Sequence, residues 1–301
     1  MIARGLAGAG FRRQVASYSF LIPWLIGFFA LTVGPIATSI YLSFTDYGLM
    51  APPQWIGMEN YIRIASDDPR FWTAMNVTFT FVLLSVPLKL AFALAVAVAL
   101  NKGLRGLAVF RAIFYLPSLL GGTVAIAFMW RQIFSRDGLL NRGLEYLFGY
   151  DGPGWVSSPS TALYTLVLLA IWQFGSSMII FLAGLRQIPQ DMYEAASIDG
   201  ASRARQFFKI TLPLLTPVIF FNAVIQTIDA FKAFTSAFVI SGGDGGPIDS
   251  TLFYTLYLFQ EAFVNLHIGY ASALAWILVI IIAFFTALSF LSARYWVHYD
   301  D

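Results

Sequence analysis

The chain contains no cysteine and only two histidines, His267 and His298. Disulfide frameworks, thiolate metal sites and cysteine nucleophiles are thereby excluded, and a histidine-rich metal centre has too few ligands. Charge is equally scarce, at 11% of 301 residues against about 25% in an ordinary soluble domain. The 18 Lys and Arg are nearly balanced by 16 Asp and Glu, which leaves no basic field for nucleic acid. No G-x-x-x-x-G-K-[ST] string occurs, so the chain offers no P-loop for ATP. What is abundant is apolar: 58% of residues are hydrophobic, with 29 Phe, 14 Tyr and 8 Trp. That excess calls for lipid rather than a larger core. The composition is that of an integral membrane protein.

A helix of roughly 20 apolar residues crosses a hydrocarbon layer about 30 Å thick, where no water satisfies free backbone groups. Six segments meet that requirement: 14–45, 73–100, 108–134, 161–185, 212–240 and 271–293. In the first, Pro23 and Pro35 are placed to bend the helix or trim its ends. The second carries Lys89 beside Pro87, and the fifth carries Asp229 and Lys232. The third has an uncharged centre, Ala112–Trp130, interrupted by Pro117, Gly121 and Gly122. Ahead of the first span, residues 1–13 form an arm with Arg4, Arg12 and Arg13. The apolar run behind this arm is too long for a signal-peptide core, so we expect it to be retained within one transmembrane domain, 14–301.

Lys and Arg set the orientation. With the N-terminus cytosolic, the inner segments hold eleven: Arg4, Arg12, Arg13, Lys102, Arg105, Arg111, Arg186, Arg203, Arg205, Lys209 and Arg294. The outer segments hold five, Arg63, Arg70, Arg131, Arg136 and Arg142, together with ten acids. Both termini are therefore expected in the cytosol. The outer loops 46–72, 135–160 and 241–270 are moderately long. Trp55 and Trp155, flanked by Gly or Pro, are suited to seating short amphipathic pieces at the interface, and the three loops together offer an outer docking surface.

The inner loop 186–213 reads RQIPQDMYEAASIDGASRARQFFKITLP. Asp191 and Glu194 favour a helix after Pro189, where a helix N-terminus welcomes acids. Gly200 stops or bends it, and a second helix is expected over Ala201–Ile210, with Pro213 opening the next span. A six-residue turn would have joined the two spans, so the extra length has another use. By physics alone two readings stand: a protein-docking hairpin with small residues at its tip, or an interfacial helix on anionic lipid.

The spacing Glu194-Ala195-Ala196, three residues, Gly200, nine residues, Ile210-Thr211-Leu212-Pro213 resembles the EAA loop of binding-protein-dependent ABC importer permeases at every motif position. Tyr18–Pro23 through Ser43-Phe44-Thr45, Ile56–Tyr61, Phe110-Arg111 to Leu116-Pro117, and Ser241–Pro247 with Thr251 are similar to segments of the sugar-type members, the maltose, lactose and glycerol-3-phosphate permease group. SGGDGGP at 241–247 is longer than the family's usual TxGGP. The resemblance implies an all-α membrane protein of six spans, with the type I ABC importer permease fold, in a bacterial inner membrane. It implies one half of a heterodimeric pore for a carbohydrate-like solute, completed by a second, homologous permease. Two ATP-binding subunits would sit below and an extracytoplasmic solute-binding protein above. This chain would hold no cofactor; ATP and Mg would belong to the partner ATPases. Glu194, Ala195, Ala196, Asp199, Gly200, Ile210, Leu212 and Pro213 would form the coupling helix and its base. Gly200 would provide close backbone approach or a sharp turn, and Glu194 would face the partner or cap local amides.

Polar residues inside spans are candidates for the solute path, because leaving an ionisable group in hydrocarbon costs about 2.5–3.5 kcal/mol. The candidates are Ser118, Gly122 and Thr123 in the third span, Trp172, Gln173 and Ser176 in the fourth, and Asn222, Gln226, Asp229 and Lys232 in the fifth. Asp229 and Lys232 lie three residues apart and can pair, either as a structural lock or as part of the path. Lys89 would meet an acid of the partner permease or an anionic solute. Phe231 and Phe234 would pack or stack on a sugar ring. The competing function is an ion-coupled secondary transporter, which calls for paired repeats and coupling carboxylates; no repeat is visible, and Asp229 is the one mid-span acid. A membrane-embedded enzyme lacks a nucleophile–base or metal constellation.

Overall fold

The computed structural model describes residues 18, 20–101 and 106–298. The N-terminal arm, the beginning of the first span, Lys102 and Arg105 lie outside the described residues. The chain divides into two compact units, Met1–Asp67 with Glu261–Ile277, and Asp68–Gln260 with Leu278–Asp301.

In the first unit, α1 (Phe20–Ser43) is a 24-residue apolar helix. Pro35 does not break it. The ring removes one N–H donor, and the helix widens over Phe29–Val33 so that the Gly34 N–H reaches the Phe29 carbonyl five residues back. A two-stranded antiparallel ribbon follows, β1 (Thr45–Asp46) with β2 (Gln54–Trp55), Thr45 opposite Trp55. Trp55 stacks on Phe44 at 5.5 Å. The amphipathic α2 (Glu59–Ser66) is tied to the end of α1 by buried Asn60, whose Nδ2 donates to the Ser43 and Thr45 carbonyls, both at 2.9 Å. In the 261–277 stretch, the Glu261 carboxylate accepts from Asn265 Nδ2 and faces His267 Nδ1, each at 2.8 Å.

The second unit is built on α3 (Pro69–Leu100), 32 residues long and capped by Asp68, which accepts from the Phe71 N–H at 3.0 Å. Three bent pairs supply further apolar segments. The first, α4 (Leu107–Leu120) and α5 (Val124–Ile133), turns by 97° at Gly121–Thr123. The short helix α6 (Leu139–Phe148) comes next and is held by Trp155, whose Nε1 donates to Asn141 Oδ1. The second pair, α7 (Ala162–Trp172) and α8 (Gly175–Leu185), bends by 41°. Beyond the loop helix α9 (Gln190–Ile198), the third pair, α10 (Arg203–Leu214) and α11 (Thr216–Phe231), bends by 64°. The short α12 (Thr235–Ser241) and α13 (Tyr254–Phe259) precede α14 (Ile268–Trp296).

Among the described residues three unbroken helices are long and apolar enough to cross a membrane, and the number rises to six when each bent pair is one span; two expectations need correction. The fifth span, 212–240, is not one helix: it breaks at Leu215 and again at Lys232–Phe234. Pro213 does not open it. Pro213 lies within α10, again behind a widened turn, Phe207–Thr211, in which the Leu212 N–H donates to the Phe207 carbonyl. Pro217, in the first turn of α11, marks the new start, where a missing N–H is harmless.

Packing within this unit is close. Ala93 and Ala97 of α3 are fully buried against Met178, Phe181 and Leu182 of α8, with Leu100, Leu185, Ile188 and Leu215 continuing the cluster toward the 186–213 loop. Small residues permit such approach where apolar burial gives no advantage over lipid. An aromatic trio, Phe79, Phe231 and Phe285, fills a second layer with centroids 5.4–5.5 Å apart; Phe234 packs on Phe238 and Phe259. Both sequence candidates for sugar stacking thus serve packing. Arg70 holds Asp249 with two parallel bonds of 2.9 and 2.8 Å.

Helix α8 meets α4 backbone to backbone. A Cβ on Gly175 would sit 2.3 Å from the Phe114 carbonyl oxygen and 2.7 Å from Tyr115 Cα. Gly175→Ala is accordingly expected to cost about 1–3 kcal/mol as overpacking, measured as a lower midpoint of thermal unfolding in detergent. An unchanged midpoint would show that the two backbones do not touch.

Candidate functional site

Two regions gather the candidates. The first is the 186–213 loop. Helix α9 begins after Pro189 with Asp191 in its first turn, as expected, and ends at Asp199. Gly200 has φ +74°, its N–H donates to the Ser197 carbonyl at 3.1 Å, and the Ala201 N–H donates to Ala196 at 2.9 Å. This paired pattern is the Schellman stop, in which a left-handed glycine satisfies the last carbonyls. A Cβ at Gly200 would meet nothing within 4 Å. Of the two roles expected for this glycine, the sharp turn is present within the chain itself.

The second loop helix starts at Arg203, later than expected, because the Ser202 hydroxyl caps it by accepting from the Arg205 N–H at 3.3 Å. It runs on to Leu214, past the expected end at Ile210. Gln206 Nε2 donates to Ser197 Oγ at 2.9 Å near the tip, and the hydroxyls of Tyr193 and Thr211 meet at 2.8 Å near the base. Tyr193, Ile210 and Leu214 pack on the Leu100–Leu185–Leu215 cluster. Leu212 and Pro213 are half-buried. Glu194, Ala195, Asp199 and Gly200 are exposed, Ala196 is half-exposed, and Ile198 is 87% exposed. Base and tip are therefore distinct: the base is keyed to the spans, and the tip presents the apolar Ile198, with Glu194 and Asp199 before the turn and Arg203 and Arg205 after it.

The second region is a cavity of about 130 Å³ among the spans. Helix α3 contributes Phe81, Ser85, Val86 and Lys89, and α7 contributes Leu166, Leu169 and Ala170, with Gln173 just beyond its end. Helix α11 contributes Gln226, Asp229 and Ala230, and Ala233 and Ser236 close it. Three of the sequence candidates, Gln173, Gln226 and Asp229, thus come together with Lys89. Lys232 ion-pairs with Asp229 at 4.0 Å but lines a separate apolar groove with Val279, Ile282 and Phe290.

The remaining candidates do not line the cavity; two of them, Ser118 and Thr123, repair helix breaks. Ser118 Oγ donates to the Gln173 carbonyl and accepts from the Ser176 N–H, each at 3.0 Å. Gln173 Nε2 returns the connection by donating to the Gly121 carbonyl at 3.2 Å. Thr123 caps α5, accepting from the Ile126 N–H. Gly122 has open space around it, and Trp172 packs on Trp130 with centroids 5.9 Å apart. Asn222 is 1% exposed and donates to the Val218 carbonyl one turn back. Sequence reasoning missed Ser85, Ser236 and Phe81; the four-residue step from Ser85 to Lys89, which puts both on one face of α3, was the available signal. Among the described residues, no group of three His, Asp or Glu converges as a metal site.

Comparison with known proteins fits this geometry. The family described as "Binding-protein-dependent transport system inner membrane component" matches residues 78–297. The chain is 53% identical over 289 residues to the probable ABC transporter permease protein YesP of Bacillus subtilis, covering 96% of this chain and 93% of that one. It is 32% identical to the lactose transport system permease protein LacF of Rhizobium radiobacter, covering 93% and 95%. Among solved structures, a chain of a bacterial ABC transporter that imports the acidic polysaccharide alginate superposes with a TM-score of 0.82, covering 96% and 98% at 20% identity. With a family match over most of its length and relatives this similar, the chain belongs to the inner membrane components of binding-protein-dependent transport systems, the permease subunits of ABC importers.

Proposed function

We propose that this permease forms half of an import path for a carbohydrate or a related polyol, together with a second, similar permease. Two ATPase subunits, carrying ATP and Mg, act from the cytosol through the 186–213 loop, and an extracytoplasmic binding protein delivers solute at the other face. Both termini are cytosolic in this reading. The observation that carries it is the loop, whose base packs on the spans while its tip offers Ile198 to a partner. An 87% exposed isoleucine on a hairpin whose base is packed against the spans suits a protein partner. The excess of Lys and Arg on the inner segments supports the orientation.

The solute class has separate support. Permeases similar to this chain are named for lactose, for trehalose and maltose, and for arabinooligosaccharides. A solved relative is an alginate transporter in complex with an oligosaccharide-bound periplasmic protein. The cavity suits such a solute: Gln173, Gln226, Ser85 and Ser236 present amide and hydroxyl groups to a polyhydroxylated ring, and Phe81 adds an apolar face.

Two substitutions test the two regions separately. Gly200→Val forces a β-branched residue into the left-handed region, at about 1–2 kcal/mol or more, and opens the turn. Membrane insertion should persist while ATP hydrolysis by the assembled importer ceases to track uptake; normally coupled transport would refute the loop assignment. Gln226→Ala removes one solute hydrogen bond and should lower uptake up to about tenfold, with co-purification of the ATPase subunits unchanged. Unaltered uptake would exclude Gln226 from the path, and uptake that collapses with an uncoupler while ATP is present would replace the ATP-driven reading with an ion-coupled one.

A further inference from the structure

Arg111, on the second turn of α4, is half-buried, and its Nε and Nη2 are shielded from solvent with no hydrogen-bond partner. A guanidinium carries five donors and stays charged, so the three N–H groups of these two nitrogens left unmet against apolar walls are costly. The side chain lines a notch of about 210 Å³, whose other walls are Ile179, Leu182, Ala183 and Arg186. A single water takes about 30 Å³; the notch has room for a larger group. No acid lines it, and among the described residues neither arginine pairs with a carboxylate.

The four residues on α8 and at its end follow helical spacing. Ile179, Leu182, Ala183 and Arg186 stand at i, i+3, i+4 and i+7, a single stripe that is apolar along the span and cationic where the loop begins. That order, apolar toward the membrane centre and charged at its edge, is the order of a phospholipid. Two guanidinium forks match phosphate oxygens, and a stripe of aliphatic side chains matches an acyl chain.

We propose that Arg111 and Arg186 bind the phosphate of an anionic phospholipid, whose acyl chain lies along Ile179 and Ala183, with the buried Leu182 at the floor of the notch. The assignment to the inner leaflet rests on the orientation proposed above; the site itself does not. Basic pockets between spanning helices at the membrane edge are of the kind that hold acidic headgroups.

The test uses the importer as purified with its partner subunits, in nanodiscs of phosphatidylcholine with or without phosphatidylglycerol. Native mass spectrometry counts retained phosphatidylglycerol. The wild-type assembly should keep one such lipid per copy of this chain, and Arg111→Gln with Arg186→Gln should lower its occupancy at least about tenfold. Arg186→Gln alone, a change at an exposed helix end, should lower it partially and serves if the double variant does not fold. Equal retention by wild type and variants would overturn the proposal. Displacement of the lipid by inorganic phosphate at millimolar concentration would assign the site to the free anion instead. Loss of the second permease from the double variant in every lipid mixture would assign the arginines to a protein carboxylate. If this chain carries no ATPase subunits, the importer reading fails while the lipid count remains readable.

Discussion

In hydrocarbon, a backbone N–H or carbonyl without a partner costs several kcal/mol, and this constraint organises the structure. The helices are widened ahead of Pro35 and Pro213, and they break at Gly121 and Gly122, near Gln173, and at Leu215. Most of these interruptions come with a repair. Widened turns let the Gly34 and Leu212 amides reach carbonyls five residues back. Ser118 and Gln173 stitch the breaks of the third and fourth spans to each other. Thr216 donates to the Pro213 carbonyl at 2.6 Å where α10 gives way to α11. Polar side chains at these depths are first of all substitutes for missing backbone partners.

That role explains which parts of the site could be read from the sequence. The six apolar segments were legible because length and absence of charge suffice. So was the loop hairpin, because Pro189, Asp191 and Gly200 are local stop and start signals. The solute path was not. Ser118, Asn222 and Gln226 look alike in a sequence as polar groups in an apolar run, yet only Gln226 faces the cavity. The first two meet backbone carbonyls of a broken helix or of the preceding turn. What separates them is the rotation of each helix, which is set by packing at Ala93, Ala97 and Gly175. A glycine against a carbonyl looks, in sequence, like any other glycine. The 97° turn at Gly121–Thr123 was visible as a site of interruption but not as an angle, because glycine permits a bend without specifying one.

The cavity also shows how few charges the membrane region tolerates. Asp229 stands between Lys89, which shares its cavity, and Lys232, three residues on along the chain. A carboxylate so placed lowers the burden of each cation, so the three charges are best understood together. Gln173 joins the same surface from the break in the fourth span. The residue that mends the helix therefore also faces the open space, and the bend and the cavity wall are one feature.

The bond between the Tyr193 and Thr211 hydroxyls closes the loop hairpin at its base, as Gln206 and Ser197 close it near the tip. A hairpin fastened at both ends behaves as a stiff arm and not as a tether. A sideways push on Ile198 would arrive as torque on α8 and α10 together, and through the bend at Leu215 on α11. The fourth and fifth spans would then rotate in step, and both contribute walls to the polar cavity.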